Sequence, residues 1–327
     1  MKNLFRIKNL AFIALVAIMS ISCNNDDDPA PVVVDETITG KAIASPNLSI
    51  LVQALTKAKL TGVLQGAGPF TVLAPTNAAF EKYLDDNDIS SLDAISDEKL
   101  TQILLNHVIN GKVLSTQLTT GYIKTLATFG TTNSNINMYV NTASTPGTKL
   151  FNGVANVSTA DVLATNGVIH IVDAVIDVPT IVTHAVANAS TFSTLVSVVT
   201  NPAQSDILTA LSSPGSLTVF APTNGGFDKL DLDLKNLGVT DGIGGVSQLT
   251  ITDVLKYHVV PGNNLAASLT NGNLTTLLGQ TFEVQLTGGP KIKDNNNRIS
   301  NIIVTDVQCS NGVIHAIDNA LLQTLPN

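Results

Sequence analysis

The chain has 327 residues, of which 44% are hydrophobic and 13% are charged, and its formal net charge is −8. This length fits roughly two domains of ordinary size, and the apolar content is too high for a disordered protein. The acidic balance argues against nucleic acid and anionic membrane surfaces as partners, because binding to either depends on cationic side chains.

Residues 1–22 have the pattern of an export signal. Three cations stand near the start, residues 10–19 form an apolar run, and small residues precede Cys23. The segment resembles a bacterial lipoprotein signal peptide, and this resemblance implies that Cys23 is the site of lipid attachment. Acyl chains of this kind hold a folded domain on a membrane without a spanning helix. The alternative is a plain secretory signal in which Cys23 is incidental.

Residues 23–36 form an acidic, proline-containing segment. Three aspartates, residues 26–28, are followed by Pro29 and Pro31. Such a stretch cannot bury apolar surface, so the simplest interpretation is an extended, solvated tether. Acidic residues just after a lipidated cysteine also resemble the surface-export signal of Bacteroidetes lipoproteins. That resemblance implies an outer-membrane lipoprotein exposed on the cell surface.

A duplicated unit occupies the rest of the chain. The segment 70–80 is echoed 147 residues later by 217–227, and the segment 166–173 is echoed 145 residues later by 311–318. Nearly constant offsets indicate that one whole domain was copied. The predicted domains are a first over residues 37–178 and a second over residues 179–327.

Within each copy, the hydrophobic period predicts helices first and strands later. A β-rich run ends in Ala-Pro-Thr-Asn, where proline stops the strand and the polar side chains can begin a helix. A later helix carries His107 or His258 at the i+7 position of its buried stripe. The C-terminal half is β-rich, and its last hairpin has Asn166-Gly167 or Asn311-Gly312 at a predicted type I′ turn. This order predicts an α+β fold. The helix that opens each copy is predicted from Leu48, Leu51, Val52 and Leu55 in the first and from Phe192, Leu195, Val196 and Val199 in the second.

Three motifs, in this order, resemble the signatures of the fasciclin domain. They are the Thr-Val-x-Ala-Pro-Thr-Asn-x-x-Phe segment, the Tyr257-His258 pair and the Gly-Val-Ile-His-x-x-Asp segment. The resemblance covers roughly residues 38–323 and implies two tandem domains, each a wedge of β-sheets flanked by helices. It also implies an extracellular role in adhesion and matrix contacts. The first copy has Asn106 in place of the tyrosine, so Tyr257 and His258 are the candidate partner-binding residues.

Four of the five histidines form two repeat-equivalent pairs, His107 with His258 and His170 with His315. Repetition in a duplicated scaffold favours a structural role, in which a neutral ring bonds to the backbone. The alternative is convergence of the rings on a metal or a substrate proton. A zinc site needs three or four ligands and each copy offers only two placed histidines, so we expect no metal and no cofactor. The other predicted structural residues are Asn77, Asn224, Asp173 and Asp318, and Cys309 is expected to fill a core slot.

The function predicted from these features is binding. The sequence contains no Gly-x-Ser-x-Gly elbow, no His-Glu-x-x-His pattern and no phosphate-binding loop, so we expect no enzyme. The leading hypothesis is a lipid-anchored surface adhesion protein that binds protein, matrix or envelope partners and meets the membrane only through its lipid. The alternative is a lipoprotein that captures carbohydrate for nutrient uptake. The chain has no Trp and only four Tyr, which are the side chains on which sugar rings stack, and this weakens the alternative.

Overall fold

The computed structural model describes residues 35–130, 133–143, 148–236 and 238–323. The predicted signal peptide, Cys23 and nearly all of the predicted tether lie outside these residues. None of the helices within the described ranges has the length and apolar character that a bilayer crossing requires.

The first domain places most of its helices before its sheet. Its α-helices are α1 (Ile38–Ile43), α2 (Ser49–Lys57), α3 (Thr61–Gln65), α4 (Asn77–Asp86) and α5 (Asp97–Asn106). Its strands are β1 (Phe70–Pro75), β2 (Val108–Asn110), β3 (Gly121–Phe129), β4 (Ser134–Asn141), β5 (Leu150–Phe151), β6 (Ala155–Ala164) and β7 (Gly167–Val172). Short 3₁₀ turns lie at Pro46–Leu48, Leu92–Ala94 and Ser115–Gln117.

The second domain repeats this order of elements. Its α-helices are α6 (Ile181–Ala187), α7 (Ala189–Val199), α8 (Ser205–Ser212), α9 (Asn224–Asn236) and α10 (Gln248–Tyr257). Its strands are β8 (Leu217–Pro222), β9 (Val259–Pro261), β10 (Gly272–Thr275), β11 (Thr281–Gln285), β12 (Lys291–Lys293), β13 (Ile299–Cys309) and β14 (Gly312–Ile317). Its 3₁₀ turns lie at Pro202–Gln204, Gly242–Gly245 and Ala266–Ser268.

The sheets place the first and last motifs of each domain side by side. In the first domain the strands close into a barrel in the order β1 to β7, and β1 pairs in parallel with β7 from Phe70 opposite Gly167 to Pro75 opposite Val172. In the second domain the order is β10-β11-β12-β13-β14-β8-β9, and β8 pairs in parallel with β14. The predicted α+β fold with two copies of one unit is confirmed.

The helices cover the sheet through an apolar core. The hydroxyl of Thr76 accepts the N–H of Ala79 and begins α4, at the position where the sequence predicts a helix start. Leu55 of α2, Phe80 of α4 and Leu104 of α5 belong to one buried cluster. The helix predicted from Leu51 and Leu55 is therefore present as α2, but it does not open the domain, because α1 precedes it. In the second domain α6 likewise precedes α7, and Phe192 has a non-helical backbone conformation within α7.

The helix predicted to carry His107 or His258 is α5 in the first domain and α10 in the second, and each ends one residue earlier than the hydrophobic period suggests. α5 ends at Asn106 and α10 ends at Tyr257, so His107 and His258 are C-terminal cap residues. The period continues through them because the cap side chains still point into the core, with exposed fractions of 2% and 4%.

The hairpin between β6 and β7 does not contain the predicted type I′ turn. Ala164 pairs with Gly167, so the loop is Thr165-Asn166, and neither loop residue has a positive φ. A type I′ turn needs positive φ at both loop residues. Gly167 instead begins β7, where an added Cβ would overlap the carbonyl oxygen of Phe70. The close approach of β1, rather than the turn, requires this glycine.

Candidate functional site

His107 caps the C-terminus of α5 in the first domain, and His258 caps the C-terminus of α10 in the second. Each histidine joins its helix to the C-terminal segment of its domain. In the first domain, Nδ1 of His107 donates to the carbonyl oxygen of Ile103 at 2.8 Å, and Nε2 accepts the N–H of Ile176 at 3.0 Å. Both bonds together need a neutral ring with its proton on Nδ1. In the second domain, the ring of His258 makes the same bonds to Val254 at 2.7 Å and to Leu321 at 2.8 Å.

Burial keeps both of these rings neutral. It lowers the pKa of His107 to about 4 and the pKa of His258 to about 4, because a charged ring would lose its hydration in the core. A neutral ring bonded through both nitrogens has no lone pair left for a metal ion or a substrate proton. The arrangement holds backbone segments together.

The second signature histidine lies in the last strand and contacts a different part of the domain. Nε2 of His170 donates to the carbonyl oxygen of Val113 at 2.9 Å, and Nδ1 accepts the N–H of Asp161 at 3.2 Å. His170 therefore shares no hydrogen-bond partner with the cap histidine of its domain. Across the described ranges, no three His, Cys, Asp or Glu side chains are grouped as metal ligands would be. In the second domain, the ring of His315 bonds to Asn264 at 2.8 Å and to Asp306 at 3.3 Å.

Asn166, which the sequence suggested as a turn residue, connects three backbone segments through its buried side chain, and we call this set of bonds the Asn166 tie. Its Oδ1 accepts the N–H of Ile38 at 2.9 Å, and its Nδ2 donates to the carbonyl oxygens of Leu64 at 2.7 Å and Gly66 at 2.9 Å. One side chain thus joins α1 and the end of α3 to the closing hairpin. Asn311 makes the equivalent three bonds in the second domain.

Asn77 and Asp173, two of the predicted structural residues, also bond to the backbone. Oδ1 of Asn77 accepts the N–H of Ile50 at 2.9 Å, which holds α2 against the start of α4. The carboxylate of Asp173 accepts the N–H of Asn156 at 2.7 Å. In the second domain, Asn224 bonds to Thr194 at 3.0 Å and Asp318 bonds to Asn301 at 2.7 Å.

Tyr257 and His258, the predicted partner-binding pair, do not lie at the surface. The exposed fraction of Tyr257 is 0%. Its hydroxyl donates to the carbonyl oxygen of Thr281 at 2.9 Å, and its ring packs edge-on against Phe282. Asn106, the equivalent residue of the first domain, is also fully buried. The difference between tyrosine and asparagine therefore alters the interior of a domain, and the pair offers no exposed surface to a partner.

The two cysteines lie in different parts of the chain. Cys309 is fully buried in the core of the second domain, and burial raises the pKa of its thiol well above the ordinary value. A buried, protonated thiol is a poor nucleophile. Cys23, the predicted lipid attachment site, lies outside the described residues.

The contact between the two domains contains residues that the sequence did not single out. Oδ1 of Asn137 in β4 accepts the N–H of Gln308 in β13 at 2.9 Å. The ring of Tyr122 in β3 meets the ring of His184 in α6 edge-on, with centroids 5.4 Å apart. His184 is fully buried, its pKa is lowered by burial to about 4, and its ring nitrogens face the backbone of Asn137 and Gln308 without a hydrogen bond of normal geometry. In the sequence, His184 differs from the other four histidines because it has no repeat-equivalent histidine, and this difference could have indicated a separate role.

Exposed apolar side chains lie on β13 beside this contact. The exposed fractions are 42% for Ile299, 54% for Ile303 and 40% for Val304. The register between β13 and β14 shifts around Ile302 and Val304, and such irregularities re-aim side chains. Ile303 and Val304 also line a groove of about 70 Å³ together with Tyr122. We call Ile299, Ile303 and Val304 the β13 patch.

Known proteins resemble both halves of the described chain. The fasciclin domain family matches residues 46–179 and 188–323. Human periostin is 30% identical over 271 residues, which cover 81% of this chain and 29% of periostin, so the chain spans less than a third of that relative. The Synechocystis protein sll1483 is 33% identical over 171 residues, which cover 52% of this chain and 88% of the cyanobacterial protein. A FAS1 domain pair from the insect cell adhesion molecule fasciclin I has 21% identity and a TM-score of 0.48, covering 87% of this chain and 96% of the pair.

Proposed function

The chain belongs to the fasciclin domain family, and from this premise we propose that it is a surface adhesion protein that binds protein, matrix or envelope partners rather than catalysing a reaction. The internal bonding of the signature side chains supports the proposal. In both copies the paired histidines bond to backbone groups through both ring nitrogens. Residues used in this way make a rigid scaffold, and a partner then has to bind the outer surface.

The observation that carries the proposal is a difference between the two copies at the β13 patch. Ile303 and Val304 correspond, at the offset of 145 residues, to Ser158 and Thr159 in β6. Both copies form this strand, so the fold does not require apolar side chains at these two positions. Clustered apolar side chains that the fold does not need and that water disfavours are typical of a contact surface. We place the partner contact at the β13 patch.

Binding is tested with a soluble chain that begins at Thr37, offered to intact cells, matrix proteins and isolated envelopes. We expect it to bind at least one of them, and we expect Ile303→Lys with Val304→Lys to weaken that binding at least tenfold. The matched control is Leu249→Lys, which changes an 81% exposed leucine on α10 and should leave binding unchanged. If the soluble chain binds none of the three, the adhesion function is contradicted. Undiminished binding by the double variant would contradict the proposed contact surface.

The tyrosines give no support to carbohydrate capture. Tyr83, Tyr139 and Tyr257 are buried, and Tyr122 is half-buried between the two domains. Sugar rings need an open aromatic face for stacking. A glycan array probed with the soluble chain separates the two functions, because selective binding to free glycans would favour carbohydrate capture over adhesion.

We further propose that a lipid on Cys23 anchors the chain in the outer membrane, with residues 24–36 as the spacer to the folded domains. The pattern of cations, apolar residues and small residues before Cys23 supports this anchoring. Replacement of Cys23 by Ser should abolish incorporation of a labelled fatty acid and move the chain from the membrane fraction to the soluble fraction. Retention of the label by the Cys23→Ser chain would contradict the anchor.

A further inference from the structure

The second domain contains an apolar cavity to which the adhesion function gives no role. The cavity has a volume of about 260 Å³ and lies between α7, α9, α10 and the 3₁₀ turn Gly242–Gly245. None of the described residues that line it is charged. Its walls include Phe227, Leu230, Leu234, Val246, Val254 and Leu322.

The first domain has a hydrogen-bonded pair at the equivalent place. The hydroxyl of Tyr83 in α4 donates to the carboxylate of Asp177 at 2.9 Å. The repeat-equivalent residues of the second domain are Leu230 and Leu322. The aromatic ring is therefore replaced by a smaller aliphatic side chain, and the polar partner is replaced by an apolar one. This end of the cavity in the second domain is therefore entirely hydrophobic, without the hydroxyl and the carboxylate that the first domain has there.

A lysine closes the same region of the first domain from outside. Nζ of Lys57 donates to the carbonyl oxygens of Leu92 and Ile95, both at 2.8 Å. Asn201 stands at the equivalent position of the second domain, because α7 follows α2 at the offset that relates Leu51 to Leu195. Its side chain instead accepts the N–H of Ala203 at 3.0 Å. The 3₁₀ turn over the cavity carries three glycines, so it adds little side-chain volume of its own. The cover of the cavity is therefore thinner than the cover of the first core.

The cavity divides the core of the second domain. In the first domain, buried residues from α2, α4 and α5 form one continuous cluster. In the second domain, Val199 and Leu255 belong to one cluster, whereas Leu230, Leu234 and Val254 belong to another. Protein cores rarely contain voids larger than a water molecule. A cavity of this size, in a fold whose other copy has one continuous buried cluster, indicates space kept for a bound molecule.

We propose that this cavity binds a small, uncharged, hydrophobic molecule, with the size of one substituted aromatic ring or a short branched alkyl chain. An apolar cavity of about 150 Å³ is enough to hold benzene, so the volume suits a ligand somewhat larger than that. An ion would lose its hydration here without gaining a charged partner. The hydroxyls of Ser247 and Thr250, which lie 2.8 Å apart, line the more exposed rim and mark the entrance.

The site is tested by titrating toluene into the full chain labelled at the Ile, Leu and Val methyl groups. We expect saturable shifts of the Leu230, Val246 and Val254 methyl resonances in the NMR spectrum and no shifts of Ile103 or Leu104 in the first domain. Benzoate, which has a similar ring and a negative charge, should bind at least tenfold more weakly. Unchanged cavity resonances at saturating toluene, or equal binding of benzoate, would overturn the proposal.

Two variants test the location of the site. Leu230→Tyr with Leu322→Asp restores the pair found in the first domain and should weaken toluene binding at least tenfold, and Val246→Phe should do the same by filling the cavity from the other side. Leu232→Ala, which changes a 59% exposed side chain on the same helix α9, should bind toluene as the unaltered chain does. Undiminished toluene binding by either folded cavity variant would overturn the location. If neither folds, the methyl shifts of the unaltered chain decide the question alone.

Discussion

His107, His184 and His258 are buried as neutral rings, and this couples the stability of the protein to pH. The ordinary pKa of the imidazole is 6.5, and burial lowers it to about 4 for each of the three. Between these two values the unfolded chain takes up protons that the folded chain excludes. The stabilisation is therefore complete above pH 6.5 and is lost as the pH falls toward 4.

We expect the free energy of unfolding to decrease between pH 6.5 and pH 4, by up to roughly 3 kcal/mol for each buried histidine. Urea unfolding at a series of pH values measures this decrease. His258→Gln should have a shallower pH dependence than the unaltered chain, because one of the buried histidines with a lowered pKa is gone. An unfolding free energy that stays constant over this range would contradict the neutral, buried state of these rings.

The side chain of Asn166 forms hydrogen bonds with three backbone groups, so we expect its removal to lower the free energy of unfolding. Asn166→Ala leaves the N–H of Ile38 and the carbonyl oxygens of Leu64 and Gly66 without that partner. We expect a loss of roughly 2–4 kcal/mol in the free energy of unfolding, measured by urea denaturation. Asn47→Ala, at an exposed position, is the control and should change stability by less than about 0.5 kcal/mol. A similar loss in both variants would count against the Asn166 tie.

At the scale of elements, the parallel pairing of the first and last strands of each domain determines where glycine is needed. Gly167 faces the carbonyl of Phe70, and Gly312 faces the carbonyl of Leu217, at such close range that no side chain fits. Neither glycine is part of a turn. Both are needed because two backbones approach each other.

We expect Gly167→Ala to destabilise the first domain by roughly 3 kcal/mol or more, because β1 and β7 have to move apart to admit the methyl group. Thermal unfolding measures the effect. The control is Gly62→Ala in α3, where nothing lies within 4 Å of the added Cβ. This control should be neutral or stabilising by up to about 1 kcal/mol, since alanine favours a helix. Equal effects of the two substitutions would contradict the close approach of the strands.

The order of elements and the helices with a regular buried stripe, such as α2 with Leu51 and Leu55, could be predicted from the sequence. The helices α1 and α3 were not predicted, because their 6 and 5 residues are too few to show the helical period. The hairpin turn was predicted wrongly, because its register is set by a distant strand rather than by the Asn-Gly pair itself. The burial of Tyr257 also depends on distant residues, since Thr281 and Phe282 receive its hydroxyl and its ring. Local patterns contain no information about such contacts.

At the scale of the whole molecule, Asn137 and Gln308 connect the sheets of the two domains. Each of these residues is buried, and the bond between them joins positions 171 residues apart in the chain. The duplication predicted two similar domains, but a repeat cannot predict contacts that occur only once. The residues of this contact, including His184 and Tyr122, therefore had no repeat signal.

We expect the two domains to unfold together and Asn137→Ala to separate their transitions. Loss of the amide leaves the N–H of Gln308 unpaired in a buried contact, which weakens the coupling between the domains. Calorimetry should show one transition for the unaltered chain and two for the variant. Asn135→Ala, on the same strand, removes a bond to Thr125 within the first domain and should preserve a single transition. Two transitions in the unaltered chain would show that the domains are not coupled.

The parallel pairing of β1 with β7 also has a consequence for how the protein matures. A ribosome releases the N-terminal strand long before its neighbour, so the barrel cannot close until nearly the whole domain has been synthesised. Long-range pairing of this kind slows folding, and the partly folded intermediate is prone to aggregation until the pairing is complete. A nascent chain with such delayed closure keeps the edge of its first strand unpaired until its last strand has been synthesised.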